Sequence, residues 1–545
     1  MKSVPQLIVP IKMEKSTPIR RKGIRLGVGE SAGMGQGAGG NRISTRGKNC
    51  EEGKEMHPAG EENRYTGGMK NIEKVSPTER PMLFEIDPEP VAEALTALGG
   101  LPLLVQAFRS LGVGGSVKEH VRIRRRDRGY DEPTLVESFV LLNGAGGECL
   151  EDFEQLRKDA GLAELIGHEF PSPESARQFL YAFHDERKIE EAQQRRQPEE
   201  IAYIPEESAE LAGLGLVNRA IVQRLGVRCA DQRIATVDQD ATIIESRKRE
   251  ALRTYEGERG YQPMLAVWAE MDVVLADEFR DGNVPAMMEP LTVAQRAFAA
   301  LPETVQTYYF RGDSACHESA LLRWLRDEQR EDGPQARIGF AISARRSEAL
   351  QKAILAVPEE EWKPYGETPG EEIRECAEVP FVPAEKSEHK DTKPLRYVGI
   401  RIRRKQGGLF DGGAATRHFA IVANIWDWPA ARLIQWHREK AGTIEAVHDV
   451  LKNELAAGVL PCKYFGANAA WLRLAVITHN LLTAMKRLAL PAELLRARPK
   501  RLRFLIFNTA GRVVHHARSL VLRLARCAMQ LEEWIEAFRL LPLRS

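Results

Sequence analysis

Paired cysteines are missing from this sequence. The seven cysteines, at positions 50, 149, 229, 316, 376, 462 and 527, lie far apart with no Cys-x-x-Cys spacing. That excludes a zinc finger and a disulfide framework, and fits a reducing cytoplasm. Long apolar runs are also missing. The most apolar stretch, Ala469–Leu490, is cut by Arg473, His479, Lys486 and Arg487, so no membrane span is expected. The run Leu7–Ile11 is short, contains Pro10 and lacks a cleavage site, so no signal peptide is expected. Charge of one sign is not in excess either. Lys and Arg total 78 against 77 Asp and Glu, a net charge of +1, so only the distribution of charge informs about partners. A soluble, cytoplasmic protein is expected. With 545 residues, 43% of them hydrophobic, the chain exceeds one ordinary domain and should form three or four units with real cores.

The first 80 residues are rich in Gly and charge without an apolar period, as in GVGESAGMGQGAGGNR, and read as a disordered extension. A true start at Met69 or Met82 is the alternative reading of that stretch. From 81 to 228 the helical period dominates. Val91, Leu95 and Leu98, then Leu103, Leu104, Phe108 and Leu111, predict two short helices broken at Gly99–Gly100. Arg122, Arg124, Arg125, Arg126 and Arg128 form a basic cluster. Further on, Ser172 as N-cap, Pro173 at the first helical position and Glu174 at the positive dipole end start another helix. Short helices with basic side chains suit a helical DNA-binding domain, or equally a packing domain with a solvated arginine face.

Around residue 229 the period changes to two. Ile234–Glu245, Pro263–Leu275 and Val305–Phe310 read as strands, Thr292–Leu301 and His317–Glu328 as helices, and Arg337–Ser343 as a buried strand. This predicts a mixed α/β unit over 229–345. Residues 346–415, with prolines at 358, 364, 369, 380, 383 and 394 and a strand candidate at Tyr397–Arg403, read as a β-rich insertion. Strand Phe419–Asn424 and a long helix over Ala430–Leu455 return to the core at 416–490. Residues 491–545 read as a basic helical tail.

Three places carry candidate chemistry. In IATVDQDATIIE, Asp238 and Asp240 share one face of a strand. Two carboxylates among apolar neighbours repel by roughly 4 kcal/mol at 4 Å and an effective dielectric of 20. A divalent cation relieves this repulsion, and so does a solvated strand end. In YYFRGDSA, Asp313 ends a strand and precedes a helix, where it either holds a ligand or caps the helix. On the late helix, Glu445, His448, Asp449 and Lys452 share a face, Lys452 lying about 20° from two full turns beyond Glu445. Glu454 points the other way. That face reads as a metal carboxylate with a phosphate-binding lysine, or as a solvated charge stripe.

Taken together, VDQDATIIES, FRGDSA and HREKAGTIEAVHDVLKNELAAGVLPC resemble the DDE transposases of bacterial insertion sequences, most nearly the family numbered 1380. The resemblance runs from about Val91 to Leu524 and includes GYQP, RDGN, FGANAAW and ITHNLL. It implies an RNase H-like core interrupted by the β-rich insertion. It also implies two Mg²⁺ (or Mn²⁺) ions on Asp240, Asp313 and Glu445, with Asp238 the alternative to Asp240. Lys452 would contact a phosphate. The Tyr and Arg that related enzymes carry before the Glu are here Arg438 and Ala441, so basic help would come from Arg438 or Lys440. The implied chemistry is cleavage of the element's double-stranded DNA ends and transfer of the freed 3′-OH to target DNA, by at least a homodimer at synapsis. Trp268, Trp426 or Trp428 could stack a flipped base, although core packing accounts for each.

A DNA partner is also suggested by Lys486, Arg487, Arg496, Arg498, Lys500, Arg501, Arg503, Arg512, Arg518, Arg523 and Arg526, set against Glu493 alone. Two rival readings are weaker. A metal-dependent glycosyltransferase would use Asp-x-Asp but leaves Glu445, Lys452 and the tail unexplained. A DNA-binding descendant that no longer cuts is the non-enzymatic reading.

Overall fold

Most period-two segments join one nine-stranded sheet, with two three-stranded sheets beside it, and period-3.6 segments form the helices, as a computed structural model of the chain shows. The structure describes residues 89, 94–124, 129–195, 202–365, 372–383, 394–404, 416–516, 519–525, 536–537 and 539–541. The expected disordered extension lies outside these residues, as do Arg125, Arg126 and Arg128 of the basic cluster.

The amino-terminal part opens with strand β1 (Leu95–Thr96) and continues with helices α1 (Pro102–Ser110), α2 (Val113–His120), α3 (Glu132–Ala145), α4 (Phe153–Lys158), α5 (Ala160–Ile166), α6 (Pro173–Tyr181), α7 (Glu186–Arg195) and α8 (Ala209–Arg228). Ser172 caps α6 as predicted, its hydroxyl accepting from the Ser175 N–H at 3.2 Å. The first expected helix is instead β1. Its Leu95 and Thr96 pair with residues 512 and 511, a long-range partner that local periodicity does not reveal.

Then follow β2 (Ile234–Ala241), β3 (Ile244–Glu245), β4 (Leu252–Arg253), β5 (Arg259–Tyr261), β6 (Met264–Trp268), β7 (Val273–Glu278), α9 (Pro290–Ala300), β8 (Thr307–Gly312), α10 (Ser319–Arg326) and β9 (Ile338–Ser343). The single strand expected over Pro263–Leu275 is a hairpin, β6 and β7, turned at Asp272 with φ of 56°. The remaining elements are α11 (Glu348–Leu355), β10 (Lys363–Pro364), β11 (Glu372–Val379), β12 (Arg396–Arg404), β13 (Thr416–Ala423), α12 (Ala430–Arg438), α13 (Lys440–Glu454), α14 (Phe465–Ala489), α15 (Pro499–Leu502), β14 (Gly511–His516) and β15 (Ser519–Leu524). The long helix expected over Ala430–Leu455 is thus two, joined at Glu439.

Nine strands form one mixed sheet in the order β10-β11-β12-β13-β9-β8-β2-β6-β7. β2, β8 and β9 run parallel at its centre, and β6 and β7 are antiparallel to their neighbours. The insertion expected to be β-rich supplies β10, β11 and β12, which extend this sheet beyond β13 rather than forming a separate one. The basic tail is not helical throughout. Arg512-Val-Val and Leu520-Val-Leu alternate as strands do, and β14 and β15 form a hairpin that joins β1.

Helix α14 holds the layers together. It is buried at 22 of its 25 positions, as a helix apolar on all sides must be. FGANAAW and ITHNLL both lie on it. Its polar side chains stitch it to α8 and β7. Asn480 accepts from the Val274 N–H (2.8 Å) and donates to Asn218 (2.7 Å). The enclosed Arg473 donates to both Asp277 oxygens (3.1 Å each) and to Glu207 (2.9 and 3.1 Å). One hydrophobic cluster runs from Leu101 through the helical part and the sheet to Phe507. Among the described residues no helix is long and apolar enough to cross a membrane, and Cys149, Cys229, Cys316, Cys376 and Cys462 are free thiols.

The Arg473 network sets a pH dependence. Burial opposes ionisation of Glu207, but the Arg473 and Arg296 guanidiniums outweigh it and hold its carboxyl at about 2 instead of 4.5. A depressed carboxyl adds stability that is present above pH 4.5 and is lost as pH falls from there towards about 2. Glu207→Gln should therefore lower unfolding free energy at neutral pH by about 1.5–3 kcal/mol. It should also flatten the decline below pH 4.5, as urea unfolding across that range would show.

Candidate active site

The parallel pairing of β2 with β8 builds the site. Its register sets Asp238 opposite Arg311 and Gln239 opposite Gly312. The next positions, Asp240 and Asp313, therefore lie side by side at the carboxyl edge of the two central strands. Strands there are about 4.8 Å apart. Gln239 points to the other face and donates to the Pro290 carbonyl at 2.8 Å, fixing the start of α9. Gly312 allows the tight turn into Asp313, since a Cβ there would sit 2.5 Å from that of Cys316.

The two aspartates of Asp-x-Asp have different surroundings. Asp238 is fully buried, and Arg311 grips it with both arms, Nε to Oδ1 at 2.6 Å and Nη2 to Oδ2 at 2.8 Å. Thr443 Oγ1 donates to Oδ2 as well. Arg311 also donates to the Trp436 carbonyl at 2.7 Å and lies over the Trp436 ring. Asp240 is partly open, its side chain 20% exposed. Its Oδ2 accepts from Lys440 Nζ at 2.5 Å, and its Oδ1 from the Ala241 N–H at 2.9 Å. The sequence left Asp238 and Asp240 as alternatives for one role; the structure gives Asp238 an internal partner and leaves Asp240 at the edge.

Asp313 caps the short turn that follows it, its Oδ1 accepting from the Ala315 N–H at 3.0 Å. Burial, then the neighbouring Asp240 carboxylate, push its carboxyl above the usual range, although Lys440 pulls the other way. For Lys440, burial disfavours the charged form, but the attraction of Asp240 and Asp313 prevails and raises its pKa. Asp240, Asp313 and Lys440 thus form one coupled cluster with two negative charges and one positive.

Helix α13 lies over this edge. Lys440, Thr443 and His448 face β2, and Lys452 Nζ donates to Thr242 Oγ1 at 3.0 Å, two residues past Asp240. His448 is buried with its Nε2 unpartnered, and burial lowers its pKa to about 4. His437 is likewise held to about 4 by burial, and its Nε2 lies 3.0 Å from the Gly312 carbonyl. Both imidazoles are neutral at pH 7, and the Gly312 contact makes His437 Nε2 the protonated nitrogen.

Of the expected residues, Asp240 and Asp313 are brought together and Lys452 lies near them. Glu445 is exposed on α13, and no group of three or more His, Cys, Asp or Glu converges among the described residues. Arg311, Thr443, His437 and His448 had no role in the sequence reading. The signal for Arg311 was parity: Asp238-x-Asp240 and Arg311-x-Asp313 have the same spacing, so one parallel register pairs both sets. The basic tail divides. Lys486, Arg487 and Arg503 face inward, to Asp272, to the Met271 and Glu270 carbonyls, and to the Asn143 and Gly144 carbonyls. Arg498 pairs with Asp449 and Glu454, while Arg496, Lys500, Arg501, Arg512 and Arg523 are exposed. Arg518 and Arg526 lie outside the described residues. Trp268 is core, Trp428 packs on Tyr309 and Trp436, and Trp426 is 55% exposed.

Comparison with known proteins places this geometry in a family. No curated protein matches the chain. Among solved structures, one that resembles it is the piggyBac transposase synaptic complex with hairpin DNA. That likeness has 8% sequence identity and a TM-score of 0.44, over 76% of this chain and 81% of that one. The family described as transposase DDE domain group 1 matches residues 89–544, nearly the whole described structure. The chain belongs to the transposase DDE domain group 1 family.

Proposed function

We propose that this protein is a DDE transposase that cuts the double-stranded DNA ends of an insertion sequence and joins them to target DNA. The observation that carries this reading is the juxtaposition of Asp240 and Asp313 at the carboxyl edge of adjacent parallel strands, with the Lys440 ammonium beside them. An RNase H-like core is part of the proposal. It is supported by the central order β7-β6-β2-β8-β9, with two antiparallel strands followed by three parallel ones. The nearer likeness to the insertion-sequence family numbered 1380 rests on VDQDATIIES, FRGDSA and the α13 segment.

The donor set fits a divalent metal. Two adjacent carboxylates, one with its pKa raised by burial and then by its neighbour, suit a cation that hard oxygen ligands hold well. Asp240, Asp313 and Glu445 would hold Mg²⁺ or Mn²⁺, two ions in the working complex, which supply Lewis-acid activation of a phosphodiester and of its attacking oxygen. Glu445 enters the proposed set through the family resemblance, and it lies on the stripe of α13 that includes Lys452, seven residues on. Its exposed side chain has to swing toward the edge to take part. Lys452 would meet a phosphate oxygen as a point charge. Arg311 ties β8 to β2 and to the end of α12, and Thr443 ties α13 to β2, so both serve as positioning residues.

The helical segment 81–228 and the exposed arginines near the carboxyl end are proposed as duplex-DNA surfaces, and synapsis of two ends calls for a homodimer. The domain limits of 229–345, 346–415, 416–490 and 491–545 remain part of this proposal.

The test is excision of a marker placed between the gene's native flanks in cells. Wild type should excise it. Asp240→Asn, Asp313→Asn and Glu445→Ala should each reduce excision by about 10²–10³-fold at equal protein levels. Full excision by Glu445→Ala would remove that residue from the ligand set. No excision by wild type with retained binding to the flanks would select the non-cutting DNA-binding descendant. Asp238 should behave differently from Asp240. Asp238→Ala removes the buried counter-charge of Arg311, leaving only the exposed Glu439 carboxylate at 3.3 Å, and should destabilise the fold by about 3–5 kcal/mol. Denaturant unfolding of Asp238→Ala beside Asp240→Asn checks this, and equal stability of the two would contradict the assignment of roles.

A further inference from the structure

The cation that offsets the Asp240–Asp313 pair belongs to the protein itself. Lys440 Nζ donates to Asp240 Oδ2, its one described hydrogen bond, and its charge also acts on Asp313. The neighbouring pair of the same strand shows what a permanent counter-ion looks like here. Arg311 uses a planar fork on both oxygens of Asp238, is itself 2% exposed, and is braced by the Trp436 carbonyl and ring. Lys440 offers a point charge to a single oxygen of an aspartate open to solvent. Lys440 follows Glu439, the one helical residue that joins α12 to α13. What keeps it at this spot is the two carboxylates.

We propose that Lys440 is an internal competitor for the metal site: its ammonium occupies the place of a divalent cation between Asp240 and Asp313, and must be displaced for metal to bind. The inference rests on the reading of Asp240 and Asp313 as metal ligands. It makes Lys440 a positioning residue that keeps the carboxylates in place and the site weak for metal in the DNA-free protein. A nuclease site loaded only when something else draws the ammonium away is protected from indiscriminate cutting. A DNA phosphate, which an ammonium binds well, is the chemistry that would draw it.

The experiment titrates Mn²⁺ into the full-length, DNA-free protein and reads bound metal by the loss of the free Mn²⁺ paramagnetic resonance signal. Lys440→Met should bind Mn²⁺ about tenfold more tightly than wild type, because the competing charge is gone. Lys440→Gln, which keeps a hydrogen-bond donor near Asp240, should tighten binding similarly and serves if the methionine variant folds poorly. Lys440→Arg, which keeps the charge and adds a second donor arm, should bind more weakly than wild type. Unchanged or weaker binding in both neutral variants, with binding still abolished by Asp240→Asn, would overturn the competitor role and leave the metal site standing. Binding indifferent to Asp240→Asn and Asp313→Asn in every background would overturn the metal reading, and the proposal with it.

Discussion

Everything at the candidate site depends on one register, the parallel pairing of β2 with β8. A shift by one residue would turn every side chain of a strand to the opposite face. In the observed register the same two-residue spacing in Asp238-x-Asp240 and Arg311-x-Asp313 produces two different results. The inner pair is an aspartate with an arginine, neutralised inside the protein. The outer pair is an aspartate with an aspartate, at the edge where the strands end. The buried ion pair therefore fixes the alignment that leaves the outer carboxylates unmatched. A buried pair is weak evidence for net stability, because desolvation offsets much of its attraction. Here its more defensible contribution is specificity of register, since any other alignment would bury Arg311 or Asp238 alone.

The rest of the molecule holds that edge still. Helix α13 runs over β2, with Lys440 on Asp240, Thr443 on Asp238 and Lys452 at Thr242. It is positioned in turn by the packing of α14, which lies deep between the amino-terminal helices and β7. Several polar side chains of α14 are directed to partners: Asn480 bonds both the N–H and the carbonyl of Val274, and Arg473 ties β7 to the start of α8. The amino-terminal helices share one hydrophobic cluster with the sheet.

Much of this was legible from the residues. The strand at Asp238 and Asp240, the strand ending at Asp313, the Ser172 cap and the helical period of 81–228 all rest on local signals: alternation, caps and turns. What was not legible depended on partners far along the chain. β1 is a strand only because β14 lies beside it, and Leu95-Thr96 alone carries no mark of this. The carboxyl-terminal hairpin was hidden because arginines dominate its composition while its strand alternation is short. Counting charges also overstated the basic surface, since Arg487 and Arg503 use their donors on backbone carbonyls and the buried Lys486 turns to Asp272. A long cationic side chain near an uncapped carbonyl is a structural donor as readily as a phosphate ligand.

The choice between lysine and arginine at the two cation positions follows the same logic. An arginine on Asp240 would form a second fork with several aligned hydrogen bonds, and it would stay ionised at any accessible pH. It could not leave without stranding those bonds. A lysine here is held by its charge and a single hydrogen bond to Asp240, a hold that a divalent ion replaces well. Conversely, a lysine facing Asp238 would satisfy one oxygen of a carboxylate that no water reaches, and the second would depend on Thr443 by itself. The inner position therefore calls for a residue that cannot leave, and the outer for one that can. The sequence has Arg311 and Lys440 in those places.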